Sequence, residues 1–205
     1  MKKIVVLNFK TYSSDIKAIE DAKGYDNVFI APPLPLLSES VKIHDNVLSQ
    51  HADPVTYGRY TGHVPPVMLK DLGVKGVLLN HSEDRVAFNV LKETVDLCKQ
   101  NNLLTIVCAQ SPDEVKEISG LHPDYIAIEP PELIGTGVAV SEAEPDIIIK
   151  SIRQSNVPIL CGAGISSSED VEKAIELGAY GVLIASAYIK NKKRKEWLED
   201  IVSLL

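Results

Sequence analysis

The chain has 205 residues, 45% of them hydrophobic and 24% charged, which is the balance of a packed, water-soluble body and excludes disordered and fibrous classes. Its 21 Lys and Arg stand against 28 Asp and Glu, a net charge of -7, so neither nucleic acid nor a membrane surface is expected as a partner. No apolar run approaches the roughly 20 residues of a bilayer span, and Cys98, Cys108 and Cys161 lack the spacing of a disulfide framework or zinc site, so the expected compartment is the cytoplasm.

In chain order, short runs rich in Val, Ile and Leu occupy residues 3–9, 28–31, 47–50, 76–79, 104–109, 125–129, 158–161 and 181–185. They are continuous rather than alternating, the pattern of strands buried on both faces. The fourth and eighth open alike, Gly76-Val77-Leu78-Leu79 and Gly181-Val182-Leu183-Ile184. Helical spacing fills the intervals, as in Val86, Val90, Leu91, Val95 and Leu97, or Val171, Ala174 and Ile175. Ser141 with Glu144 and Ser166 with Glu169 predict capping boxes, Gly178 predicts a helix stop, and the Pro32–Pro35 and Pro65-Pro66 stretches each precede a helix. At about 26 residues per strand–helix unit, the chain predicts an α/β fold, a closed (β/α)8 TIM barrel filling residues 1–205 as a single domain. An open doubly wound sheet is the rival architecture, but buried strands without a charged edge favour closure.

In such a barrel the chemistry sits at the carboxyl ends of the strands, so the polar residues that end apolar runs are the candidates. Asn8 and Lys10 follow the first run, and period-two alternation predicts that they share a face where Lys10 meets a substrate anion. His81, with Ser82 and Glu83 behind it, ends the fourth run at a turn whose helix-start dipole disfavours imidazolium, so a neutral ring is expected to donate to a carbonyl. Glu129 ends the sixth run, where partial desolvation raises a carboxylate toward useful basicity. The segment after it, Pro130 to Gly137, has the composition of a lid. Cys161-Gly162-Ala163-Gly164-Ile165-Ser166 and Ala185-Ser186 supply backbone N–H groups for a phosphate.

Other motifs carry less. The glycine turn lacks the third glycine and the position of a dinucleotide-binding fingerprint. The basic run from Lys190 to Lys195 reads as a solvated face, and His51 with Asp53 has no third ligand, so no metal is expected.

Asn8-Phe9-Lys10, His81-Ser82-Glu83 with Arg85, Glu129 followed by a Pro-containing lid ending Ile134-Gly135-Thr136, and the two phosphate turns together resemble triosephosphate isomerases, in order and spacing along the whole chain. Gln50-His51-Ala52-Asp53 and Tyr60-Thr61-Gly62-His63 extend the resemblance to that family's third loop. The chain is shorter than usual members, with Pro-Pro-Glu-Leu-Ile-Gly in place of the commoner Pro-Val-Trp-Ala-Ile-Gly and Gly162-Ala163-Gly164 in place of Gly-Gly-Ser, features that look like the compact archaeal branch.

The resemblance implies interconversion of dihydroxyacetone phosphate and D-glyceraldehyde 3-phosphate, in glycolysis and gluconeogenesis, with no metal and no cofactor. Glu129 is then the base, His81 polarises the carbonyl, and Lys10 neutralises developing charge. Asn8 orients substrate oxygens, Glu83 and Ser82 support the site, and backbone groups of Ile134, Gly135, Gly164, Ala185 and Ser186 hold the phosphate. The loop 57–62 resembles the segment that plugs into a neighbouring subunit, which implies a homodimer and leaves a homotetramer open. A sugar-phosphate epimerase, a Schiff-base aldolase and a noncatalytic barrel are the competing readings.

Overall fold

The computed structural model describes residues 2–12, 15–133 and 139–205. Among them are eight strands, β1 (Ile4–Asn8), β2 (Val28–Ala31), β3 (Leu48–Ser49), β4 (Gly76–Leu79), β5 (Leu104–Ala109), β6 (Tyr125–Ile128), β7 (Ile159–Cys161) and β8 (Gly181–Ile184). Each lies within a run read from the sequence, because a strand buried on both faces writes its whole length in apolar residues. The helices are α1 (Lys17–Asp21), α2 (Leu37–Ile43), α3 (Pro66–Leu72), α4 (Phe88–Gln100), α5 (Pro112–Ser119), α6 (Val140–Ala143), α7 (Pro145–Gln154), α8 (Ser168–Glu176), α9 (Ser186–Ile189) and α10 (Arg194–Ser203).

All strand pairs are parallel, in the order β2-β1-β8-β7-β6-β5-β4-β3. The sheet curls into a nearly closed barrel. The last seam, between β2 and β3, carries one bridge, Ile30 with Val47, in which the Ile30 N–H donates to Asn46 O at 3.0 Å. With β3 only two residues long, side-chain amides take over where a backbone ladder would run. Asn46 Nδ2 donates to Val28 O at 3.3 Å and to Asp26 O at 3.0 Å, and Gln50 Nε2 donates to Ala31 O at 2.8 Å.

Period-two alternation divides the core into two layers. Ile4, Val6, Leu78, Ile106, Ala127, Leu160 and Leu183 pack with one another inside the barrel. Val5, Leu7, Val77, Val107, Ile126 and Ile159 face outward onto the helices, where Leu91, Val95 and Cys98 of α4 and Val171 and Ala174 of α8 meet them. The likeness of β4 and β8 has a packing reason at their first residues. A Cβ on Gly76 would fall 2.3 Å from Leu104 O, and one on Gly181 would fall 2.0 Å from Ile4 O.

Two of the helix-start expectations are corrected. Ser141 is not a cap: it lies inside α6, buried, and its hydroxyl donates to Asp170 O at 3.3 Å, while α7 begins at Pro145 without a side-chain cap. The box at α8 is formed by Ser167 and Asp170, one residue later than the pair Ser166 and Glu169, since Asp170 also reaches back to the turn before the helix. Gly178 does stop α8, at φ +97. The basic run is partly tied down, with Arg194 bound to Asp21 at 3.0 Å and Asp15 at 3.3 Å, and Lys193 to Glu196 at 3.1 Å.

Candidate active site

At the carboxyl ends of the strands a cavity of about 430 Å³ brings together Asn8, Lys10, His81, Glu83 and Glu129 with Gly164, Ala185 and Ser186. These residues come from β1, β4, β6, β7 and β8, so the barrel assembles them from across the sequence. Ile134 and Gly135 lie outside the described residues.

At the end of β1, Asn8 is buried, and its Oδ1 accepts the Lys10 N–H at 3.0 Å and Gln50 Nε2 at 3.4 Å. Two donors on Oδ1 fix the amide. Lys10 has φ 46, so the chain has left the pleat by then. Asn8 and Lys10 do share the cavity, but through this left-handed turn and not through the expected strand alternation. Lys10 Nζ bonds Glu83 Oε1 at 2.8 Å.

His81 follows Asn80, whose φ of 60 turns the chain out of β4. The Glu83 N–H donates to His81 Nδ1 at 3.1 Å. That nitrogen must therefore offer its lone pair, which leaves the ring proton on Nε2, the atom facing the cavity. His81 Nε2 and Glu129 Oε2 stand 3.5 Å apart, both buried, and neither has a hydrogen-bond partner among the described residues. Buried polar atoms are nearly always paired, so two that border one cavity, each without a hydrogen bond among the described residues, are available to a third group there. Ser82 Oγ, also buried, has no hydrogen-bond partner among the described residues either.

Glu129 continues β6 by one residue, its N–H bonded to Ala109 O at 2.8 Å. The Cys108 thiol lies beside its carboxylate, and burial, reinforced by the Glu129 charge, pushes that thiol well above its ordinary pKa. Cys108 is thus an inert wall and not a second nucleophile. This contact is not legible in any single run, because it depends on the register that sets Cys108 beside Ala127.

Beyond β7, Ala163 and Gly164 both take positive φ, 59 and 75, and turn the backbone into the cavity. Asp170 organises this turn: its Oδ2 accepts Ser166 N–H at 2.8 Å, Ser166 Oγ at 3.0 Å and Ser167 N–H at 3.0 Å. His51 and Asp53 do meet, at 3.2 Å, with Asp84 at 3.0 Å on the other ring nitrogen.

The model of the triosephosphate isomerase family matches residues 3–204. The chain belongs to the triosephosphate isomerase family. It is similar to the triosephosphate isomerase of Methanocaldococcus jannaschii, with 39% identity over 98% of this chain and 100% of that protein. It is also similar to those of Methanothermus fervidus, at 40% identity over 98% and 97%, and Archaeoglobus fulgidus, at 38% over 98% of each. His81, Glu129 and Lys10 line one cavity at the carboxyl ends of the strands.

Proposed function

We propose that the chain interconverts dihydroxyacetone phosphate and D-glyceraldehyde 3-phosphate by carboxylate-base proton transfer through an enediolate. The observation that carries this reading is the buried pair Glu129 Oε2 and His81 Nε2, 3.5 Å apart at the mouth of a nearly closed parallel barrel and neither hydrogen-bonded among the described residues. A carboxylate opposite a neutral imidazole N–H supplies both halves of an enolisation. Glu129 takes a proton from the carbon beside the carbonyl, and the His81 N–H stabilises charge arriving on the carbonyl oxygen. Proton movement between the two oxygens, and return of the carbon-bound proton by Glu129 to the neighbouring carbon, complete the exchange with no net oxidation.

The other residues follow from charge and position. Lys10, beside His81, faces the anionic parts of substrate and intermediate, and Asn8, its Oδ1 already engaged, is left with its N–H2 as a donor. Backbone groups of Gly164, Ala185 and Ser186, with Ile134 and Gly135 of the lid, hold the phosphate. Binding energy from that remote group is available to stabilise the transition state. No step requires a metal or an organic cofactor. A local cation suffices despite the net charge of -7, because fields of exposed charges fade within about 8 Å at physiological salt.

We extend the reading to assembly and compartment: one domain spanning residues 1–205, its barrel closed through the β2–β3 seam, acting as a cytoplasmic homodimer, with a homotetramer as the alternative. Support comes from the third loop and the helix after it, where Tyr57, Tyr60 and Met68 are 61%, 47% and 54% exposed. Interfaces are enriched in aromatic side chains and Met, the kinds exposed here within twelve residues of one another along the chain. Light scattering at graded concentration reads the assembly directly.

The functional test follows conversion of D-glyceraldehyde 3-phosphate in EDTA with a coupled dehydrogenase, for the unaltered protein and Glu129→Gln. Turnover that falls by about 10² to 10⁴-fold in the variant is expected for a lost general base. Activity lost in EDTA favours a metal-dependent epimerase, borohydride trapping favours an aldolase, and absence of turnover from folded protein favours a noncatalytic barrel.

A further inference from the structure

The turn that presents His81 is held from the neighbouring strand–helix unit, by residues that do not line the cavity. Asn80, which sets the left-handed step before His81, is 5% exposed and makes bonds through every polar atom of its side chain. Its Nδ2 donates to Cys108 O at 3.0 Å and to Glu114 Oε1 at 3.4 Å, and its Oδ1 accepts the Val86 N–H at 3.3 Å. Its carbonyl accepts Arg85 Nη1 at 3.4 Å, and the other arm of that guanidinium pairs with Glu114 Oε1. Glu114 Oε2 in turn accepts the Gln110 N–H at 2.7 Å.

Glu114 is the third residue of α5, and its own N–H donates to the cap, Ser111 Oγ, at 3.3 Å. In a capping box the acid at this position returns to the N–H of the cap residue. Here it passes that N–H, takes the one before it, and commits its other oxygen to Arg85 and Asn80. Helix capping alone does not call for that reach. The result is a bonded chain from the start of α5 to the residue immediately before His81, anchored on the way to the carbonyl of Cys108, the neighbour of Glu129.

We infer that Glu114 is a positioning residue for His81, acting through Arg85 and Asn80. The inference rests on the reading of His81 as the group that polarises the substrate carbonyl. Placement within a fraction of an ångström governs such a group, whereas the phosphate is held by turns beyond β7 and β8 that Glu114 does not touch. Its loss therefore lowers kcat and leaves phosphate binding in place.

The experiment compares kcat, KM and inhibition by inorganic phosphate for the unaltered protein, Glu114→Gln, Glu114→Asp, Arg85→Gln and the double variant Glu114→Gln with Arg85→Gln. Circular dichroism confirms folding. Aspartate keeps an acid in the first turn, where it serves the cap and the helix dipole, but is one methylene short of Arg85. The expected result is a fall in kcat of about 10- to 100-fold in all of them, Glu114→Asp included, with phosphate inhibition unchanged. The double variant is expected to be no worse than the weaker single one, because both cut one network. Where Gln at 114 prevents folding, Arg85→Lys carries the same test, since an ammonium cannot fork to Asn80 O and Glu114 together. Full kcat in Glu114→Asp from a working enzyme overturns the inference and reduces Glu114 to a cap. Multiplying losses in the double variant overturn the route through Arg85. No turnover by the unaltered protein overturns the functional reading, and this role with it.

Discussion

Gly162 leaves empty the space that Glu129 fills: a Cβ placed on Gly162 would fall 2.3 Å from Glu129 Cγ and 2.9 Å from its Cδ. Neither atom can yield easily. Glu129 is 6% exposed, with His81 on one side and Cys108 near it, so the carboxylate has little room to retreat.

Gly162→Ala is therefore predicted to displace the carboxylate while sparing the phosphate turn. A shift of about 1 Å at a reacting group costs on the order of 10²-fold in rate. Steady-state kinetics should show kcat reduced and inhibition by inorganic phosphate retained. Wild-type kcat in the alanine variant would mean that Glu129 works from a different position.

Lys10→Met removes the cation that Glu83 holds at 2.8 Å. Loss of a group facing developing negative charge is expected to lower kcat/KM by about 10² to 10³-fold, with a weaker response to added salt than the parent shows. Glu83→Gln frees Lys10 of its tether and is expected to cost less than Lys10→Met. The reverse order would move the essential charge from Lys10 to Glu83.

Asp170→Asn should weaken phosphate binding. Asp170 Oδ2 takes three donors from Ser166 and Ser167, and an amide in its place must turn either its oxygen or its N–H2 toward them. Loss of such a cap costs about 1 to 2 kcal/mol of stability, measurable by denaturant unfolding. A raised KM with near-parental kcat is the kinetic signature; unchanged KM would separate this turn from the phosphate.

His44 predicts a pH dependence of folding. Its Nε2 donates to Ala22 O at 3.1 Å and its Nδ1 accepts the Asn46 N–H at 3.0 Å, so the ring is held neutral. Burial lowers its pKa below the usual 6.5, with the Ala22 carbonyl and Asp45 opposing and Lys23 adding to the fall. The unfolded chain then binds the proton more readily than the folded one. Stability is complete above about 6.5 and is lost as pH falls from there through the lower folded value. Because Asn46 carries the bridge to Ile30, the β2–β3 seam should loosen first. Hydrogen exchange at the Ile30 amide between pH 7 and 5 checks this, and His44→Gln should flatten the trend.

The site was largely readable where a polar residue ends an apolar run, as at Asn8, His81 and Glu129, because strand burial and strand ends are both written locally. Backbone direction was not. The turn that brings Lys10 into the cavity depends on a left-handed φ that its own side chain does not announce. Caps slipped where serines cluster: Ser166, Ser167 and Ser168 are all eligible, and the acid that decides the register is Asp170, whose second task is in the preceding turn. Ser111 and Glu114 also have the spacing of a capping box, but the diversion of Glu114 toward Arg85 requires the neighbouring strand to be in place. Cys108 and Gln50 act through contacts across strands, which no single run encodes.

The uneven seams of the barrel bear on the order in which it can be built. β1 pairs with β2 over four residues and with β8 over four, while β2 and β3 share one bridge. As the chain leaves the ribosome, the first two strands thus have only each other as a substantial partner, and a two-stranded ribbon is at best marginal in water. Strands β3 to β7 can add one to the next as they emerge, while β8 meets β7 through one register pair, Cys161 with Val182, and β1 over four, so β1 and β2 wait for β8. Asn8 and Lys10 join His81 and Glu129 only when that late pairing is made, so activity gained during refolding should track the docking of the amino-terminal ribbon.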